Sequence, residues 1–324
     1  MKILVTGAAG FIGSNLAEKL AKRGDTVIGL DNLNDYYDPA KKRANAARLA
    51  AYPTFRLVEE DIRHRQAMFD LFAAEKFDAV AHLAAMAGVR NAVLHPDLYV
   101  QVNLNGTQNL MDAARAAGNM PNFVMASTSS VYGNTTQIPF VETDPCDRPL
   151  QPYAAAKRAA EMLGHAYHHL YGIDVSIVRY FTVYGPAGRP DLALFRFVQW
   201  VSEGRPVRIN GDGKQSRGFT YIDDIARGTI LALKPLGYEV LNLGGHQVIT
   251  INDLVSLIED VVGKKAIVEY GPPNPADMFT NWADVTKAGE LLGWEPQFDM
   301  RAGVERLVAW YKSEREWAKD ILTP

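Results

Sequence analysis

The sequence predicts a doubly wound α/β fold: a Rossmann-type parallel sheet with helices on both faces, and a smaller mixed α/β domain toward the C-terminus. Three observations carry this expectation. Strand-like and helix-like segments alternate through the first half of the chain. Several strand-like segments, such as Ala79-Val-Ala-His-Leu83, are apolar at successive positions, as expected where both faces are covered. The first strand also runs straight into a glycine string, Gly7-Ala-Ala-Gly10-Phe-Ile-Gly13, that opens a helix.

Lys2–Thr6 is a short apolar run and forms the first strand. Gly10–Arg23 follows as an amphipathic helix, with Phe11, Ile12, Leu16 and Leu20 on its inner face. Such a turn lets backbone N–H groups and a helix N-terminus approach a pyrophosphate without an intervening side chain. The next strand, Thr26–Leu30, ends at Asp31, 18 residues past Gly13 (31 − 13). An acid there can accept hydrogen bonds from a ribose diol. It would repel a 2′-phosphate, and the neighbouring Asn32 adds no positive charge, so the expected cofactor is NAD. The spacing is GxxGxxG rather than GxGxxG; the strand before, the helix after and the acid at the next strand end make it informative.

Further strands are expected at Thr54–Val58, Ala79–Leu83, Asn122–Ser127 and Asp174–Arg179. Helical patterns fill the intervals at Ala40–Ala51, Arg65–Glu75, Leu98–Ala117 and Tyr153–Tyr171. Ligands of such sheets bind beyond the C-terminal strand ends, where Gly7, Asp31, Asp61, Ala84, Ser127 and Tyr180 all fall. After Arg179 glycine and proline become dense. Helices remain at Leu194–Glu203, Ile251–Val262 and Ala302–Trp317. Phe219–Ile222 as a strand, Asp223–Leu233 as a helix and Glu239–Leu243 as a strand read as a return to the first domain. The expected division is 1–180 with about 218–245 for the cofactor, and 181–217 with 246–324 for a second ligand.

Composition narrows the function classes. A net charge of −3 without a basic stripe gives no nucleic-acid footprint. The lone Cys146 cannot form an internal disulfide or a cysteine metal site. His165 and His169 lie four apart on one helix, but no further ligand is evident, so no metal is expected. No apolar run reaches membrane-span length, and Met1 leads into a strand without a leader pattern. A cytoplasmic enzyme is expected.

Tyr153 and Lys157 form Tyr-x-x-x-Lys on a helix whose first turn holds Pro152. Residues four apart share a face, so phenol and ammonium can meet one ligand. Lowering a phenol by about three pKa units takes roughly 4 kcal/mol, which the Lys157 cation and a positive nicotinamide ring can supply. With fourteen tyrosines the spacing alone arises by chance. Its partner is the strand end Ser127-Thr128-Ser129-Ser130, where Thr128 is placed to relay a proton between a substrate hydroxyl and Tyr153.

A glycine turn, a ribose acid, a hydroxyl cluster and Tyr-x-x-x-Lys, in this order, resemble the extended short-chain dehydrogenases/reductases: nucleotide-sugar epimerases, dehydratases and decarboxylases. The resemblance spans nearly the whole chain. It implies that Asp61 and Ile62 contact adenine, and that Leu83, Ala84, Ala85 and Asn103 lie near the cofactor with Tyr180. Asp31-Asn-Leu-Asn-Asp-Tyr-Tyr-Asp38, Ala87-Gly-Val-Arg90, Thr182-Val-Tyr-Gly-Pro186, Gly188-Arg-Pro-Asp191 and Ala193-Leu-Phe195 are similar to stretches of UDP-glucuronate 4-epimerases. Met86, Ala187, Leu192 and Gly218 depart from the residues usual there.

Dehydratases of this group carry an Asp-Glu pair after the threonine, and UDP-glucuronate decarboxylases a Glu two residues after it. This chain has Ser129 and Ser130. The resemblance therefore implies reversible oxidation at C4 of UDP-glucuronic acid, giving UDP-galacturonic acid through a 4-keto sugar. UDP-glucose/galactose 4-epimerisation, a decarboxylase and a non-catalytic NAD-binding sensor are the alternatives. It also implies that Arg217 holds the diphosphate, Asp277 the uridine ribose, and Phe195 with Ala193 the uracil. Arg90, Ser129, Ser130, Thr182 and Arg189 would meet the sugar. Leu98–Ala117 and Tyr153–Tyr171 are apolar on more than one face, and related proteins pair these helices across a dimer axis, so a homodimer is expected.

Overall fold

The computed structural model describes residues 1–273 and 280–323. The strands, in chain order, are β1 (Lys2–Thr6), β2 (Thr26–Asp31), β3 (Phe55–Glu59), β4 (Ala79–His82), β5 (Asn122–Thr128) and β6 (Val175–Tyr180). They continue with β7 (Thr182–Tyr184), β8 (Pro206–Asn210), β9 (Ser216–Tyr221), β10 (Tyr238–Leu243), β11 (Gln247–Thr250) and β12 (Ile267–Gly271). Seven form one sheet in the order β10-β6-β5-β4-β1-β2-β3, and every pair in it is parallel. The strand order reverses between β1 and β4, and a crevice opens there at the C-terminal strand ends.

Side-chain alternation explains the two faces. Ile3 and Val5 of β1 enter one apolar cluster, while Leu4 enters the other. The first cluster includes Leu16 and Leu20 of α1 (Phe11–Arg23). The second includes Met68 and Phe72, Leu110 and Met111, and Ala160. No polar face is left on the central strands, which is why they read as continuous apolar runs. Helix ends follow local chemistry. α1 stops at Gly24, whose φ of 94° suits glycine.

The helices after α1 are α2 (Pro39–Ala50), α3 (Arg65–Ala74), α4 (Val89–Leu94), α5 (Pro96–Val100), α6 (Thr107–Ala117), α7 (Pro152–Tyr171), α8 (Ala193–Glu203) and α9 (Ile222–Leu231). α7 starts on Pro152, with the Gln151 side chain accepting from the Ala154 N–H at 3.0 Å.

Two features differ from the sequence expectation. The single helix expected over Leu98–Ala117 is interrupted by a π turn at Gln101–Gly106. That wider turn buries Asn103 fully and lets Gly106 lie where a Cβ would be 2.6 Å from Ile62. The strand expected at Phe219–Ile222 is the end of β9, which stops at Tyr221 and pairs with β7 and β11 in a small three-stranded sheet. The return to the central sheet is made by β10, which pairs with β6, while α9 packs on α1.

Candidate active site

A cleft of about 1670 Å³ runs across the C-terminal ends of β1, β2, β4, β5 and β6. It exceeds the roughly 300–1,000 Å³ of a single small-ligand pocket, which suits a dinucleotide beside a second ligand. All the sequence-predicted site residues line it except Asn103, Phe195 and Asp277. Asp277 lies outside the described residues.

At one end the backbone closes in tightly. A Cβ on Gly7 would sit 2.8 Å from the Ala84 nitrogen, and one on Gly13 only 2.0 Å from the Gly7 oxygen. The chain has given up side chains where a phosphate must approach main chain and helix N-terminus. Gly10, the α1 N-cap, carries no side-chain cap. The Asp31 carboxylate is fixed by the Ala9 N–H at 3.0 Å and the Leu33 N–H at 2.9 Å. Asn32 donates to Asp61 at 2.8 Å. Burial works to raise the Asp61 carboxyl, but hydrogen bonds from Arg63 and Asn32 outweigh it and hold it at about 2. Asp61 therefore stays an anionic acceptor.

A buried polar chain behind this end escaped the sequence reading. Thr107 Oγ1 donates to the Asn103 carbonyl at 2.7 Å, so the 2.9 Å contact with His82 Nε2 has the imidazole as donor. His82 Nδ1 then accepts from Thr6 Oγ1 at 2.8 Å, and Thr6 Oγ1 accepts from the Leu83 and Ala84 N–H groups. Burial, aided by the Lys157 charge, pushes His82 down to about 3 and keeps it neutral. Asn103 grips both main-chain groups of Met86, at 2.8 and 2.9 Å. Its place is thus behind the cleft wall, where it fixes the chain after β4.

At the centre, β5 ends on Thr128, whose hydroxyl accepts the Ser130 N–H at 3.1 Å and caps a 3₁₀ turn over Ser129–Tyr132. Thr128 Oγ1 also lies 3.2 Å from Ser130 Oγ. Tyr153 and Lys157 reach the same point from α7. Burial raises the Tyr153 phenol; the Thr128 hydrogen bond and the Arg189 charge pull against it, and the net direction is up. Lys157 is not among the groups that act on it, so the lysine's expected effect on the phenol is not seen in the protein alone. Burial lowers Lys157 to about 8, against the opposing Glu161 charge. Its ammonium makes no hydrogen bond to the described residues, which leaves three donors for a ligand.

Behind them Ser127 donates to Glu161 at 2.5 Å, and Glu161 forms a two-pronged pair with Arg179 at 3.0 and 2.8 Å. Each side chain of that pair is 1% exposed.

At the far end Arg189 makes a bidentate pair with Asp191 at 3.0 and 2.5 Å and lies over the Tyr36 ring. Burial opposes its charge, but Asp191 outweighs that and raises it. Arg90, Thr182 and Arg217 line the wall nearby. Phe195 departs from expectation: it is 3% exposed in the core, against Trp310 and beneath Lys41. Ala193, Arg196 and Phe197 face the cleft instead. Their i, i+3, i+4 spacing is one helical stripe, and Phe195 falls on the opposite one. Asn281 is a further lining residue that the sequence reading missed; no local pattern marks it.

A family model described as the NAD dependent epimerase/dehydratase family matches residues 3–244. The chain belongs to this family. A UDP-glucuronate 4-epimerase of Thermodesulfobacterium geofontis is 49% identical over 319 residues, covering 98% of each chain. A crystal structure of the Bacillus cereus UDP-glucuronic acid 4-epimerase with UDP-glucuronic acid and NAD is 38% identical, with a TM-score of 0.91 over 97% of this chain and 100% of that one. A UDP-glucose 4-epimerase of Thermotoga maritima, solved with UDP-glucose, is 32% identical with a TM-score of 0.90 over 97% and 100%. The family's NAD fits the residues present: Gly7 and Gly13 form a cradle that a Cβ would fill, Asp31 offers fixed acceptors, and Lys157 offers buried donors.

Proposed function

We propose that this protein interconverts UDP-glucuronic acid and UDP-galacturonic acid by NAD-dependent epimerisation at C4. The observation that carries the reading is the turn after Thr128. It presents Ser129 and Ser130 to the cleft that Tyr153 also lines and offers no carboxylate for elimination or proton delivery.

NAD, when bound, supplies a hydride acceptor for C4 and returns the hydride. Tyr153 as phenolate takes the 4-hydroxyl proton with Thr128 as relay, and later gives a proton back to the same oxygen. Lys157 holds the ribose and favours the phenolate. The two faces of the 4-keto sugar must be offered in turn. Arg217 therefore grips the diphosphate as a planar donor fork, while the sugar sits among small hydroxyl side chains that permit rotation. Arg189, Ser129, Ser130 and Thr182 supply donors to the carboxylate.

The direct test is UDP-glucuronate with the purified protein and no added cofactor, products resolved by NMR. UDP-galacturonate is expected; a UDP-pentose would make it a decarboxylase, and turnover of UDP-glucose alone would make it the hexose epimerase. A 4-keto uronic acid is a β-keto acid, and neutral hydroxyls that hold its carboxylate in the ring plane disfavour loss of carbon dioxide. Ser130→Glu is expected to raise the decarboxylated fraction several-fold; an unchanged product ratio would refute that role.

Exposed apolar residues on α5 and α7 (Val100, Met162, Leu170) support a homodimer formed through these helices, as in the expectation from sequence. Light scattering should give twice the chain mass. The cytoplasm is the compartment this reading implies. Among the described residues no helix is long and apolar enough to cross a membrane.

A further inference from the structure

We propose that Asn281 is a positioning residue: it holds the Ser129 hydroxyl with its proton turned toward the substrate's carboxylate, and so contributes to preference for a uronic acid. This rests on the substrate reading above.

Asn281 lines the cleft and is 8% exposed. Its backbone is stitched in place from several sides. The Gly218 N–H donates to its carbonyl at 2.6 Å, the Phe140 N–H to the Trp282 carbonyl at 2.7 Å, and the Ala283 N–H to the Gly245 carbonyl at 3.1 Å. The side-chain amide is therefore rigidly carried. Its Nδ2 donates to Ser129 Oγ at 3.0 Å.

A hydroxyl has one proton and two lone pairs. With a lone pair engaged by Asn281, the Ser129 proton has no acceptor among the described side chains and remains to be given. Ser130 Oγ lies beside it in the same turn, 3.2 Å from Thr128 Oγ1. The Ser129 hydroxyl is thus set as a donor by Asn281. An ionised carboxylate only accepts, so this donor matches it, whereas a hydroxymethyl group, which donates and accepts, needs no such arrangement. Asn281 Oδ1 is buried and has no hydrogen-bond partner among the described residues.

The test uses the NAD-loaded enzyme and two variants. Asn281→Asp keeps the shape but replaces the donor with an acceptor that claims the Ser129 proton. The KM for UDP-glucuronate is expected to rise about 10-fold or more, the size of one charge-assisted hydrogen bond. Inhibition constants for UDP and UDP-glucose should stay within about 2-fold, since neither presents a carboxylate to Ser129. Asn281→Ala should give the same ordering at about 3- to 5-fold for UDP-glucuronate; it serves if the aspartate variant does not fold. An equal loss for all three ligands, or no loss for UDP-glucuronate, would overturn the proposal. Failure of the unmodified enzyme to act on UDP-glucuronate would instead overturn the substrate reading.

Discussion

Tyr153→Phe is expected to lower kcat by roughly 10²- to 10⁴-fold, the usual share of a positioned general acid–base group, with NAD content and fold unchanged. The substitution removes one oxygen. The ring keeps its edge contact with Tyr99, at 6.0 Å between centroids, so packing is preserved. What disappears is the group proposed as the final acceptor and donor of the sugar-oxygen proton, leaving the Thr128 relay with nothing to pass it to. Burial already works against ionising this phenol, and Thr128 and Arg189 recover only part of that. The remainder must come from the assembled complex, including the positive ring of the cofactor. Single-turnover rates with UDP-glucuronate, compared at equal NAD occupancy, check the expectation. A variant within tenfold of the parent would remove Tyr153 from the chemistry.

Glu161→Gln should act on stability and on pH dependence together. Glu161 and Arg179 are both 1% exposed, and Glu161 also accepts from Ser127 and Arg158. Burial tends to raise the carboxyl, but the Arg179 hydrogen bonds and charge outweigh it, so Glu161 is anionic. Removing the anion leaves a buried guanidinium without its counter-charge, a loss of roughly 3–5 kcal/mol measurable by denaturant titration. Lys157 provides the second readout. It sits at about 8, with burial lowering it and Glu161 opposing that. In the proposed mechanism the ammonium is the form that acts in the assembled complex, and it is lost as pH rises through that value. Without the Glu161 charge the ammonium is less favoured, so the alkaline limb of kcat/KM moves to lower pH. An unmoved limb in a variant that still folds would show that Glu161 does not set the lysine.

The parts of the site legible in the sequence are those whose chemistry is local. Within one turn, Gly13 meets the Gly7 main chain where a Cβ would be 2.0 Å away and Gly7 takes a positive φ of 70°, and Asp31 ends the very next strand. Tyr153 and Lys157 share a helix face by spacing alone. Features assembled from distant segments were not legible. Asn103 has helical neighbours on both sides, and only an extra residue in the turn rotates it behind Met86. Phe195 sits in a stretch apolar on several faces, so which aromatic ring faces the cleft depended on how α8 packs against Trp310. The Thr6–His82–Thr107 chain joins three elements, and Asn281 reaches Ser129 across 152 positions; no periodicity encodes either. The small sheets of β7, β9 and β11 and of β8 and β12 are short and glycine-flanked, and their pairing is set by tertiary contacts.

The place of β10 bears on how the protein is made. β6 leaves the ribosome nearly sixty residues before the strand that will cover its outer edge, since the two pair from Val175 against Tyr238. Throughout that interval a nascent chain displays a row of unmet amide and carbonyl groups, a template for unwanted association. A premature stop near residue 230 would make that exposure permanent, and such a fragment should be found with chaperones or in inclusion bodies rather than as a free cofactor-binding half.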